Sequence, residues 1–141
     1  MSSTIEVITR GVLRRRGKVL LCKNVAKGYY YLPGGHVEMH ESSRTALARE
    51  FLEETGCRVR VGRLIAVSEA AFVHKGKTHQ EVNLVFHVEQ GGTKPIQSIE
   101  PDIAFEWLSS SEVAHRDVRP ASAKRLLRSR SKVTRFDSDV D

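Results

Sequence analysis

The chain has only two cysteines, Cys22 and Cys57, and no Cys-x-x-Cys pair among its 141 residues. The spacing of a zinc ribbon or knuckle is therefore absent. Each cysteine sits inside an apolar segment, so buried free thiols in a reducing compartment are expected rather than a disulfide. No apolar run approaches the roughly 20 residues of a membrane-spanning helix. Residues 1–6, MSSTIE, lack the basic n-region and long apolar core of a signal peptide. These absences together lead to the expectation of a cytoplasmic protein with no membrane partner. Internal repeats are missing too. Between Lys124 and Arg135 there is no acidic residue and no aromatic one. A basic run without interleaved aromatics reads as a solvated surface, and nucleic-acid binding is not expected from it.

What remains has an ordinary globular composition, 40% hydrophobic and 28% charged. Its length suits one domain, assigned to residues 1–128. Residues 129–141 are polar and lack periodicity, and read as a basic, flexible C-terminal tail. The 23 basic against 17 acidic residues give a net charge of +6, a field that favours polyanionic ligands. Nothing in the sequence fixes an oligomeric state.

The informative stretch is Gly35 to Cys57, GHVEMHESSRTALAREFLEETGC. Ser42 or Ser43 can cap a helix opening after Glu41. Thr45 to Thr55 contains good helix formers, and Gly56 stops them. Leu47, Phe51 and Thr55, with Ala48 and Leu52 beside them, form a core-facing stripe. Glu50, Glu53 and Glu54 share the opposite face. Like charges at i,i+4 repel by roughly 0.2–0.5 kcal/mol per exposed pair. Arg49 offsets part of this through Glu53, and a hard divalent cation, which prefers oxygen ligands, offsets far more. Ahead of the helix, Leu32-Pro33-Gly34-Gly35 allows close approach of backbone to a ligand.

The fixed positions of this stretch are Gly35, five residues, Glu41, seven residues, then REFLEETGC. On these residues the chain resembles a Nudix hydrolase of MutT-like type. The resemblance implies an α/β fold: a Nudix-type α/β/α sandwich with a mixed β-sheet between helices. It implies metal ligation by the Gly34 carbonyl, Glu50, Glu53 and Glu54, with Mg²⁺ (Mn²⁺ possible) as cofactor. Glu50 or Glu53 is then the candidate base, with Arg49 orienting the cluster and Glu41 fixing the loop–helix junction. Lys23, ending a strand near the Gly-Gly loop, is carried over as a substrate-phosphate contact. A further acidic residue from the loop before Trp107 is expected to join the site, Glu100 ahead of Asp102, with Glu106 nearby.

The implied function is a pyrophosphohydrolase cleaving the diphosphate linkage of a nucleoside diphosphate joined to another group. The partner is thus a nucleotide-derived small molecule. Phe72-Val73-His74-Lys75 lacks the proline and the tyrosine that mark two Nudix substrate groups, which leans towards a nucleoside triphosphate or nucleotide sugar. Two other readings stand beside this one: a nucleotide-sensing module without catalysis, and an RNA 5′-end pyrophosphohydrolase suggested by the basic tail.

The remaining chain supplies the sheet. Ile5–Leu13 and Val19–Lys23 read as a hairpin, and Tyr29–Leu32 as a short strand. Residues 58–73 read as one or two strands broken near Gly62. They pair with Thr78–Glu89 across Lys75-Gly76-Lys77. Ala104–Leu108 is a further strand, and a final helix runs from about Arg119 to Arg128. His79 and Glu81 share one strand face. Of Tyr29, Tyr30 and Tyr31, at least one is expected in the core and the others to offer a ring for stacking.

Overall fold

The computed structural model of the protein describes residues 4–140. Its longest continuous feature is a hairpin of β5 (Val59–His74) and β6 (Lys77–Gln90), turned by Lys75-Gly76 with φ of 51° and 75°. Two successive positive φ angles match the right-handed twist of the flanking strands. Near Gly62 the register shifts between Val61 and Leu64 and again before Ala66. The expected break is therefore a bulged region inside one strand.

β1 (Ile5–Arg15) lies parallel to β6 from Ile5–Gln80 to Leu13–Val88. Its other edge takes β4 (Gly34–His36), antiparallel, with Arg10 opposite Gly34. β2 (Lys18–Asn24) joins β1 only through Arg14–Val19 and Arg15–Lys18. Beyond that the two strands part, and β2 pairs with β3 (Tyr30–Tyr31) and β7 (Ile103–Ser109).

Period-two alternation divides the apolar residues between two cores. Val12, Val19, Leu21 and Val85 face α2 (Ser110–His115) and α3 (Ala121–Arg128). Leu13, Leu20 and Phe86 face α1 (Ser43–Thr55), meeting Leu47 and Phe51. The result is the expected mixed sheet between helices. In α1 the stripe of Leu47, Phe51 and Thr55 is buried as expected, but Leu52 is 41% exposed and Ala46 takes the inward place. Among the described residues no helix is long and apolar enough to cross a membrane.

The stretch 129–141, expected to lack regular structure, contributes β8 (Arg135–Ser138), parallel to β5. Arg125 on α3 holds it, with Nε on Asp137 at 2.6 Å and Nη2 on Asp139 at 2.7 Å. Arg135 donates to the carbonyls of Leu126 and Ser129, and the Thr134 hydroxyl to that of Leu64. Four residues are too few to announce a strand, and these partners lie as far as 70 positions away. Asp141 falls outside the described residues. Removal of residues 129–141 is expected to lower the melting temperature by about 5 °C or more, since each lost kcal/mol moves it several degrees. An unchanged melting curve would show that β8 adds nothing to the fold. The same coupling makes this truncation a poor probe of RNA processing.

Candidate active site

Two glycines set the approach of loop to helix. Gly34 has φ +145°, and a Cβ there would lie 1.9 Å from the Thr9 carbonyl oxygen of β1. A Cβ on Gly35 would sit 2.5 Å from the Glu50 carboxyl group. Only bare backbone fits between β1 and that carboxylate. The start of α1 is fixed alongside: the Ser42 hydroxyl accepts the Thr45 N–H at 3.1 Å, and the Thr9 hydroxyl donates to the Ser43 carbonyl at 3.1 Å.

Arg49 gathers the acids. Its Nε and Nη2 donate to the two oxygens of Glu41 at 2.7 and 2.9 Å, a bidentate fork. Nη1 donates to Glu50 at 3.1 Å and Glu53 at 3.2 Å, and Nη2 reaches the His36 carbonyl at 3.2 Å. Glu41 also accepts the Glu38 N–H at 3.1 Å, and the adjacent guanidinium holds its carboxyl below the usual range. One arginine therefore ties the loop to one turn of α1.

The three helix carboxylates are not equivalent. Glu53 has a side chain 58% exposed, whereas that of Glu50 is 17% exposed. Burial, then the charge of Glu50 and a hydrogen bond to it, push Glu54 up to about 8. Burial also raises the Cys22 thiol and the Tyr31 phenol, and the Glu54 charge adds to both shifts. Among the described residues no three His, Cys, Asp or Glu groups are gathered into a ready-made metal cage. The pair of Glu50 and Glu54, two oxygen-donor carboxylates whose proximity and burial raise Glu54, does suit a hard cation. Mg²⁺ is held in this way, through one or two carboxylates while keeping water in its shell.

Of the expected site residues, Gly34, Arg49, Glu50, Glu54 and Glu41 are brought together, with Glu53 on the outer side. Glu100 is exposed, yet near enough for its charge to raise Glu54, and the Ile99 N–H donates to the Glu54 carbonyl at 3.2 Å. Asp102 is engaged through its backbone, accepting from Val25 at 3.1 Å. Glu106 stands opposite Leu21, on the face away from α1. Lys23 is not brought to the carboxylates. Its ammonium lies 5.6 Å from the ring of Tyr30, which packs in the core under α2 and α3. Alternation along β2 aims it to that face.

The cation that sequence reasoning missed is Arg10. Its Nη1 donates to the Leu32 carbonyl at 3.0 Å, its guanidinium lies 5.8 Å from the Tyr31 ring, and its charge opposes the rise at Glu54. The signal was available: Arg10 interrupts the inward row of Ile8 and Val12 in β1. Arg10 and Tyr31 also open a cleft of about 600 Å³, lined with Tyr29, Phe72, Glu81 and Arg119. Arg119 covers the Tyr29 ring at 4.5 Å and is forked onto Asp117 at 2.8 and 3.1 Å. Glu81 thus lines the cleft, while its neighbour His79 stacks on Phe72 at 5.2 Å.

Comparison with known proteins decides the family. The NUDIX domain profile matches residues 5–129. This chain belongs to the NUDIX family. A MutT-like protein of Streptomyces ambofaciens is 37% identical over 105 residues, covering 74% of this chain and 64% of that protein. A CTP pyrophosphohydrolase of Escherichia coli is 41% identical over 66 residues, 44% of this chain and 48% of that one. The solution structure of the E. coli ORF135 protein superposes with a TM-score of 0.67 at 29% identity, covering 89% of this chain and 87% of that one. The chain thus matches less than two thirds of the length of these two curated NUDIX relatives. Members of the family generally use divalent metals, which agrees with the donor set described above.

The raised Glu54 has a thermodynamic consequence. A carboxyl pushed up to about 8 in the folded state, against an ordinary 4.5, is protonated in the folded state and ionised in the unfolded chain between those values. Its favourable contribution is complete below about 4.5 and is lost as pH rises through 8. In chelator, the wild-type melting temperature is expected to fall across that window, and that of Glu54→Gln to fall less. Mg²⁺ should flatten the wild-type profile. Parallel profiles for wild type and variant would contradict the assignment.

Proposed function

We propose that the chain is a Mg²⁺- or Mn²⁺-dependent pyrophosphohydrolase. Its substrate is a nucleoside diphosphate joined to another group, as in a nucleoside triphosphate or nucleotide sugar. The observation that carries this is Glu50, held by Arg49 under the side-chain-free Gly34-Gly35 loop with Glu54 beside it, close to Arg10, which lines a cleft of about 600 Å³. That volume falls within the range of small-molecule sites. The NUDIX relatives include a protein described as a CTP pyrophosphohydrolase, which supports the same substrate class.

Glu50 and Glu54 would hold the cation with the Gly34 carbonyl, and Glu53 completes the acidic face. When bound, the cation neutralises phosphate oxygens and makes a coordinated water a better nucleophile. Water attacks phosphorus, a P–O bond forms as the bridging P–O bond breaks, and the proton passes to a carboxylate. Glu50 fits the base role better than Glu53. It is less exposed, and Arg49 fixes its orientation through one oxygen. Arg49 and Glu41 position this group without touching substrate. Arg10 takes the phosphate-binding part that the sequence suggested for Lys23, and Glu100 is placed to approach the cluster from the loop before β7.

The test is hydrolysis of nucleoside triphosphates, nucleotide sugars, ADP-ribose and dinucleoside polyphosphates in Mg²⁺ and Mn²⁺. Glu50→Gln is expected to lower kcat by roughly 10²–10⁴ on the class turned over, the usual scale for loss of a general base. Arg10→Ala should raise KM, while Lys23→Ala leaves both constants nearly unchanged. Metal-dependent turnover surviving Gln at Glu50, Glu53 and Glu54 individually would falsify the proposal.

A further inference from the structure

Asn83 lies in the middle of β6, opposite Ile8 of β1 and Ser68 of β5, and is 2% exposed. Its neighbour on the same face, Val85, packs into the core under α2 and α3, as does Ala66 two positions from Ser68. An aliphatic side chain would be the ordinary occupant. Instead both carboxamide atoms, Oδ1 and Nδ2, are buried without a hydrogen-bond partner. Leaving a donor and an acceptor unpaired away from water is costly, and an apolar group of similar shape avoids that cost. A side chain that opposes stability in this way is commonly kept for what it binds.

The recess that Asn83 lines has a volume of about 20 Å³ and shares Arg10, Tyr31, Arg119 and Pro120 with the larger cleft. It therefore adjoins the cavity lined by the aromatic rings, with both arginines common to the two. A carboxamide presents one acceptor beside one donor and can rotate to suit its ligand. The edges of a nucleobase offer complementary donor–acceptor pairs, and Asn forms a bidentate contact with N6 and N7 of adenine in nucleic-acid complexes.

We propose that Asn83 is a specificity-determining residue, reading the edge of the nucleobase that enters the cleft. The inference rests on the reading that this cleft takes a nucleotide, and goes beyond it by naming the group that discriminates between bases. Binding of the ligand supplies the partners that Oδ1 and Nδ2 lack in the free protein. The phosphates are left to Arg10 and the carboxylate site. A site built around a hydrogen-bonding pair rejects a ligand that leaves the pair unsatisfied, because the buried polar atoms then remain unpaired.

Calorimetric titration with AMP, GMP, CMP and UMP tests this without requiring turnover. Wild type is expected to favour one base over the weakest by about tenfold or more. Asn83→Leu should reduce that spread to within about threefold while still binding the nucleotides through the remaining contacts. The free Asn83→Leu protein should also melt at a higher temperature than wild type. Asn83→Asp, which exchanges a donor for an acceptor, should change the order of preference and serves if the leucine variant folds poorly. Equal affinities in wild type, an unchanged order and spread in both variants, or no binding of any of the four would overturn the inference. A single water resident in the recess predicts that unchanged spread. Failure of the hydrolysis panel with base preference intact would sink the catalytic reading and leave this one standing.

Discussion

Arg49 is the interaction on which the site depends. A loop bearing Glu38 and Glu41 and a helix bearing Glu50, Glu53 and Glu54 repel one another unless a cation stands between them. The guanidinium does so by forking onto Glu41 while its remaining nitrogen reaches Glu50 and Glu53. Lysine would supply the charge but not the planar fork. Once loop and helix are locked, the position of Glu50 dictates that residue 35 carry no side chain, and the pairing of β4 with β1 dictates the same at residue 34. The box pattern of glycine, glutamate, arginine and glutamates is therefore one mechanical object, and its spacing is the distance over which one arginine can reach.

That is why so much of the site was legible in the sequence. Gly34, Glu41, Arg49, Glu50 and Glu54 lie within some twenty residues of each other, and local geometry carries them into contact. The sandwich was legible for a related reason: alternation in β1, β2 and β6 sorts residues onto two faces with helices to cover both. The misreadings share the opposite cause. Lys23 was near the Gly-Gly loop in sequence, but its ammonium lies over the Tyr30 ring and it does not line the cleft that Arg10 enters. β8 depends on partners in α3 and β5, and four residues of pattern gave no hint of them. Arg10 and Asn83 are polar residues at inward-facing strand positions, and their meaning emerges only when β1, β5 and β6 are assembled.

Glu54 and Asn83 each work against the stability of the molecule. Glu54 is buried beside Glu50 without a counter-charge of its own, apart from the distant help of Arg10. Asn83 is buried with its amide unpaired. Glu106 Oε2, Ser122 Oγ and Arg135 Nε are also buried without a partner, while the surface forks of Arg125 onto Asp137 and Asp139 and of Arg119 onto Asp117 are fully paired. Ligand that pairs Glu54 and Asn83 stabilises the folded state by mass action, so binding and folding draw on the same groups.

The parallel pairing of β1 with β6 bears on how the chain is made. From Ile5–Gln80 to Leu13–Val88 every partner is 75 residues downstream. During synthesis β1 leaves the ribosome long before its neighbour exists, with a row of unpaired backbone groups and the apolar side chains of Val12 and Leu13 in water. The box helix forms in the interval, without the sheet face that Phe51 will cover. At about 5–20 residues per second, this gap lasts several seconds. A nascent chain in that condition is a natural client for a chaperone, and it acquires its central sheet only when residue 88 has emerged.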